Sequence, residues 1–147
     1  MNITKVLRKI SFTPAKVSVS MDDLITYPKE SLGFHLGCFL FNNSHEPDPI
    51  PEKEDIYRLL LTKERSSKEE IAMHYYLFGN GDNSLRTLFI VATGAVFYLH
   101  CIKYFYSKYR DGRNAFKFYY LDHFKMLHLP LEKIKDAFMI RYGYENN

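Results

Sequence analysis

Apolar residues recur along this chain at helical spacing and almost nowhere at strand spacing. Leu32, Leu36, Phe39 and Leu40 share one face of a helix that opens near Pro28 and ends near Asn42-Asn43. Residues 44–51 (SHEPDPIP) hold three prolines and form a turn-rich linker. A second helix over 52–61 turns Ile56, Leu59 and Leu60 inward. A third opens at Ser66-Ser67 and carries Glu69 and Glu70 in its first turn, where negative charge favours the helix dipole; it stops at Gly79-Asn80-Gly81. Ser84 caps a long helix reaching Tyr109, which breaks at Asp111-Gly112. A short aromatic piece over 116–123 leads to Pro130 and a last helix ending near Arg141. The best strand signal, KVSVS at 16–20, is short.

The pattern predicts an all-α protein, a single-domain bundle of about six helices. An N-terminal basic arm or short helix over 1–27 precedes the helical domain at 28–147. Residues 87–102 carry no formal charge. The segment has 16 residues, includes His100 and Gly94, and is flanked by Arg86 and Lys103. A membrane span needs roughly 20 apolar residues. The expectation is therefore a long central apolar helix, uncharged on all sides because other helices surround it.

Composition adds one unusual feature. The chain holds 12 Tyr and 12 Phe but no Trp, so 16% of it is aromatic, and something large and apolar is packed or bound. Hydrophobic residues at 46% and charged residues at 25% are globular values and argue against disorder. Net charge is +3, too little to imply nucleic acid, but it is unevenly spread. Residues 44–70 sum to −3 and residues 101–147 to +4, which suggests two different surfaces. No secretory leader is visible in the first 20 residues. Ile3, Val6, Leu7 and Ile10 alternate there with Lys5, Arg8 and Lys9, a short basic amphipathic stretch. Cys38 and Cys101 sit in apolar runs, as small core residues do, and suggest a reducing compartment.

Most chemical motifs are missing from the sequence. No nucleophile elbow, phosphate-loop lysine, Cys-x-x-Cys or His-Glu-x-x-His pattern occurs. No two of the 6 histidines stand three or four apart on one expected helix, and His35, His74 and His100 are expected in the core or a pocket. The informative cluster is Glu54, Asp55 and Arg58, followed by Glu70. The first three share a helix face by i,i+3 and i,i+4 spacing, and an antiparallel neighbour brings Glu70 opposite. Three carboxylates meeting in one place need a cation, which Arg58 can supply. The same residues also describe an ordinary solvated salt-bridge network of little energetic worth.

The run EDIYRLLL…EEIAMHYYLFGNG resembles the ubiquinone (coenzyme Q) biosynthesis family, the fourth protein of the coenzyme Q series. That family's mark is His-Asp-x-x-His, eleven residues, then Glu, a zinc-type site. In the same register Glu54 stands at the first His, Asp55 at the Asp, Arg58 at the second His and Glu70 at the Glu, and the likeness spans residues 31–138. Two of the four ligand positions therefore depart from the pattern. Zinc wants neutral imidazoles and few carboxylates, and arginine is a permanent cation. The expectation is a degenerate site without zinc or another cofactor, in which Arg58 replaces the metal. Were a cation such as Mg²⁺ held there, Asp55 and Glu70 would be its ligands.

The resemblance implies an all-helical protein that binds a prenylated quinone precursor or similar lipid, scaffolds biosynthetic enzymes and sits at a membrane surface. Candidate lipid-binding residues are Leu59, Met73, Leu77, Ala92 and Val96, each of which ranks first as a plain core residue. Residues 103–120 (KYFYSKYRDGRNAFKFYY) add a basic aromatic surface with Lys103, Lys108, Arg110, Arg113 and Lys117. Amphipathic rings and cations suit a membrane interface carrying anionic lipid. A long helix with an aromatic core face and a solvated basic face ranks first, the membrane second, and single-stranded nucleic acid, which the same mixture suits, third. Remaining alternatives are a helical interaction module without a quinone role, and a homodimer. An enzyme is the third and weaker alternative: Glu70 or Asp55 offers a base, but two of the four ligand positions depart from the family motif and no nucleophile or cofactor motif accompanies the carboxylates. The expected location is cytoplasmic, peripheral to a membrane.

Overall fold

The computed structural model describes residues 19–140. The basic stretch at Ile3–Ile10, most of KVSVS and the expected helix end at Arg141 lie outside the described residues. Within them the chain is all-α, with seven α-helices and no β-strand. These are α1 (Met21–Ile25), α2 (Leu32–Asn43), α3 (Lys53–Leu61), α4 (Ser67–Asn80), α5 (Leu85–Phe97), α6 (Ile102–Asn114) and α7 (Leu131–Ala137). Short 3₁₀ turns occupy Leu99–Cys101 and His123–Met126.

Serines start four of these helices. Ser20, Ser31, Ser66 and Ser84 each accept a hydrogen bond from the backbone N–H three residues on, filling an otherwise orphaned donor. At α1 the cap is reciprocal, because Asp23 Oδ2 accepts from Ser20 N at 3.0 Å. Gly81 ends α4 with φ 117°, a left-handed conformation that a residue with a Cβ rarely adopts. The start of α2 is also tied to the far end of the chain. Leu32 N donates to Leu129 O, and Leu131 N donates to Glu30 O, both at 2.8 Å.

The central helix is α4 rather than the uncharged segment. It buries Glu69, Ala72, Met73, His74, Tyr75, Tyr76, Leu77 and Asn80, on nearly every side. On one flank Met73, Tyr76 and Leu77 meet α1, α2, α3, α7 and Phe118 in the main core. On the other, Ala72 and Tyr75 pack with Phe105 of α6, and the Tyr75 and Phe105 rings stack at 5.0 Å. Leu24 of α1 is fully buried in the main core, so the stretch before residue 28 already contributes to it.

The expected long helix from Ser84 to Tyr109 is not one helix. It breaks at Tyr98, where φ −124° and ψ 44° leave the helical region, and α5 and the segment after it meet at 103°. Nor is α5 buried: only Thr87 and Gly94 of it are. Gly94 sits so close to α4 that a Cβ there would lie 2.5 Å from Ile71 Cγ2. Absence of charge thus marked an apolar helix at the edge of the bundle, not at its centre.

Asp111-Gly112 does not end a helix either, since α6 continues to Asn114. Gly112 is instead a point of backbone contact. A Cβ on it would lie 2.0 Å from Tyr76 O, and one on Gly79 would lie 2.0 Å from Tyr109 O. These two glycines let α4 and α6 cross with main chain against main chain. Asn80 completes the crossing. Its Nδ2 donates to Gly112 O and Phe116 O at 3.1 and 2.8 Å, and its Oδ1 accepts from Phe118 N and Tyr119 N at 2.9 and 3.2 Å.

Neither cysteine behaves as expected: Cys38 is exposed and Cys101 half-buried. Among the three histidines expected inside, His74 is buried, His35 is half-buried and His100 is exposed.

Candidate functional site

Helices α3 and α4 are joined by the linker at residues 62–66 and contact each other, and that contact builds the site. Arg58, at the end of α3, faces Glu70 in the first turn of α4. Its Nε lies 3.0 Å from Glu70 Oε2 and its Nη2 lies 2.7 Å from Oε1, a bidentate pair. Arg58 Nη1 donates to Asp55 Oδ1 at 2.9 Å, and Nη2 to Glu54 Oε2 at 3.2 Å. All four motif positions therefore meet, as the spacing implied.

The network is larger than its sequence signature. Arg86, in the first turn of α5, clamps Glu54 from the other side, Nη1 to Oε1 at 2.8 Å. Asp55 does two jobs, because its Oδ2 also accepts from Glu52 N at 2.8 Å and so caps α3. Only 25% of the Arg58 side chain is exposed, and 14% of Asp55. This is a half-buried cluster and not a solvated surface pair.

Charge states follow from the packing. Burial alone would raise the Glu70 pKa, but the hydrogen bond and charge of Arg58 outweigh it and hold the carboxyl below its usual range. Hydrogen bonds that Arg58 donates to Glu70 stabilise the guanidinium and raise the Arg58 pKa further. Glu54 moves the other way: burial pushes it up, more than Arg86 and Arg58 pull it down.

A cleft of about 310 Å³ opens beside this cluster, lined by Phe39, Asn43, Arg58, Leu59, Thr62 and Glu70 among others. A second of about 240 Å³ lies on the side of Asp55, Glu52 and Ile50, again with Arg58 in its wall. Arg58 thus stands in the walls of two open clefts, the larger mostly apolar and the smaller mostly polar.

The donor set does not suit zinc. The three carboxylates point at a guanidinium, and neither His position of the resembled motif holds an imidazole. Among the described residues no three of His, Cys, Asp and Glu are placed to hold a metal ion.

The five candidate lipid-lining residues do not share one place. Met73 and Leu77 are each 1% exposed and fill the main core. Leu59 borders the larger cleft. Ala92 and Val96 lie on the outer side of α5. That outer side is the largest surprise of the structure. Leu85, Phe89, Val96 and Phe97 are 87, 69, 73 and 76% exposed, and Leu99 just beyond the helix is 68% exposed. Leu85, Phe89, Ala92 and Val96 follow helical spacing and form one stripe. Among the described residues no single helix is long and apolar enough to cross a membrane; α5 and the segment after it pass only as a bent pair.

Of the basic residues on the aromatic segment, Lys103, Arg110, Arg113 and Lys117 are exposed. Lys108 is not: it is 9% exposed, and its ammonium lies 5.5 Å from the centre of the Tyr104 ring. It belongs to the α4–α6 packing, where Tyr104 also donates its hydroxyl to Glu69.

Behind Arg86 lies a polar group that spacing did not nominate. Thr87 Oγ1 donates to Asp82 Oδ2 at 2.7 Å and touches His74 Nδ1 at 3.5 Å. His74 is one helical turn after Glu70, a spacing that placed both on one face of α4. Asp82 and Thr87 come from the α4–α5 loop and the first turn of α5, and nothing in the sequence linked them to it.

No protein-family model matches the chain, and no curated protein sequence matches it either.

Proposed function

We propose that this protein is a divergent relative of the coenzyme Q biosynthesis family that works at a membrane surface, binding a prenylated quinone precursor or similar lipid. In this reading it assists or scaffolds other enzymes, and Arg58 stands where relatives hold zinc. The observation that carries the proposal is the outer stripe of α5. Monomeric proteins rarely leave a helix exposing Leu85, Phe89, Val96 and Phe97 together without a partner surface. A membrane is the occupant argued for, because Lys103, Arg110 and Arg113 are exposed on the next helix and complement anionic lipid. A helix lying in the interface plane needs no spanning length.

Flotation of the full chain with vesicles tests it. Binding is expected to vesicles containing anionic lipid, to weaken with salt, and to be lost in Phe89→Ser/Val96→Ser. Absence of flotation, with wild-type oligomers that the same double variant splits, would favour the interaction-module reading, in which a second copy covers the stripe. Strong salt-sensitive RNA binding without flotation would favour the nucleic-acid alternative. For the cluster, stoichiometric zinc lost on Asp55→Ala or Glu70→Ala would overturn the replacement of metal by Arg58.

A further inference from the structure

A second apolar surface lies open on α2, whose Leu32, Leu36 and Leu40 face the main core. Phe34, Cys38 and Phe41 follow helical spacing on another side of the same helix. Phe41 is 80% exposed, Cys38 is exposed and Phe34 is half-buried. Ile25 of α1, 57% exposed, adjoins them. The contact that places it there is Gly37, where a Cβ would lie 3.1 Å from Leu24 Cβ and 3.8 Å from Ile25 Cγ2. Phe41 stands one helical turn beyond Gly37. Neither helix carries Lys or Arg, α2 has no Asp or Glu, and α1 has the exposed Asp22 and Asp23. The result is an apolar patch beside two carboxylates.

We propose that this patch is the docking surface of the protein's own N-terminal segment, Ile3–Ile10. Three features select that occupant. Its chemistry matches, because Ile3, Val6, Leu7 and Ile10 supply apolar side chains, while Lys5, Arg8 and Lys9 meet Asp22 and Asp23. Its reach suffices, because the chain from Ile10 to Val19, just before α1, spans roughly 30 Å when extended. Its tether also lowers the contact area needed, since a linked segment acts at an effective concentration of roughly millimolar. A second copy has no such help. It needs about 800 Å² per partner, far more than these four side chains offer. Neither a membrane nor a ligand enters the argument, and α5 is not involved.

The test is NMR on the full chain with labelled Ile, Leu and Val methyl groups. Nuclear Overhauser contacts are expected between the methyls of Val6, Leu7 or Ile10 and the ring of Phe41. They should vanish in Phe41→Ser, which alters only an exposed side chain. The Cys38 thiol, inside the patch, gives a second readout. Leu7→Asp should speed its reaction with a disulfide reagent roughly fivefold, equivalent to part of the burial of one leucine. Half-buried Cys101 should keep its rate in both proteins. Absence of the methyl contacts in the unmutated chain, or equal Cys38 rates in it and in Leu7→Asp, would overturn the proposal. Contacts found only between differently labelled copies would also overturn it, in favour of a segment exchanged between two molecules.

Discussion

Replacing Gly112 by Ala puts one methyl group where two helices meet backbone to backbone. The added Cβ would lie 2.0 Å from Tyr76 O, 2.8 Å from Tyr76 C and 3.1 Å from Tyr76 Cα. None of these atoms can rotate away, because all belong to the main chain of α4. Reaching even the shortest separation that real Cβ atoms show, 3.0 Å, requires the helices to part by 1.0 Å, the difference between 3.0 and 2.0 Å. That shift also loosens Asn80, whose amide bonds Gly112 O directly. Overpacking costs about 1–3 kcal/mol, and here the upper end applies. Ala gains back up to about 1 kcal/mol of helix propensity. A net loss of about 2 kcal/mol follows, or a melting temperature roughly 4–8 °C lower. Urea unfolding followed by circular dichroism measures it, with exposed Ser107→Ala on the same helix as the propensity control. Gly79→Ala, the reciprocal contact at 2.0 Å from Tyr109 O, should behave alike. If Gly112→Ala proves as stable as the wild type, α4 and α6 do not touch through their backbones, and the account of the crossing fails.

Two further outcomes follow from charged and titrating groups. Arg58→Ala removes the cation from three converging carboxylates and should cost about 1–3 kcal/mol at neutral pH, less than a fully buried pair because a quarter of the side chain is exposed. Acid should narrow the difference, since Glu70, held below its usual pKa, contributes stability above that value and loses it as the carboxyl protonates; equal urea midpoints at neutral pH would refute this. His123 is boxed by Tyr57, Phe118 and Phe138, and burial pushes its pKa down to about 4. The unfolded chain binds that proton near its ordinary value of 6.5 and the folded one only near 4, so stability is full above 6.5 and falls between 6.5 and 4. The slope approaches about 1.4 kcal/mol per pH unit, and His123→Leu should flatten it in urea titrations across that range.

Local signals in the sequence served well where one residue decides the outcome. A serine before a helix must fill an orphaned N–H, and Ser66 and Ser84, both read as caps, do so. Spacing on α3 and the short α3–α4 turn likewise brought Glu54, Asp55, Arg58 and Glu70 together. What stayed hidden depends on the third dimension. The uncharged stretch at residues 87–102 has the composition of a core helix, and nothing local tells a core from a surface that awaits a partner. Gly112 looked like a breaker because its close approach to Tyr76, distant in sequence, has no local signature. Arg86 and Thr87 reach α3 and α4 only because α5 turns back across them.

The crossing of α4 and α6 also governs how this protein ages. Asn80-Gly81 is a dipeptide in which the backbone nitrogen of glycine readily attacks the side-chain amide, releasing ammonia through a cyclic imide. In the fold Gly81 N–H is engaged with Phe78 O at 3.1 Å, and the Asn80 amide is bonded at both ends. Attack must wait for the helix end to open. Once it succeeds, a carboxylate replaces an amide that donated to Gly112 O and Phe116 O, and oxygen then faces oxygen. Each unfolding excursion therefore carries a small irreversible risk, and the chemical lifetime of the molecule counts its openings.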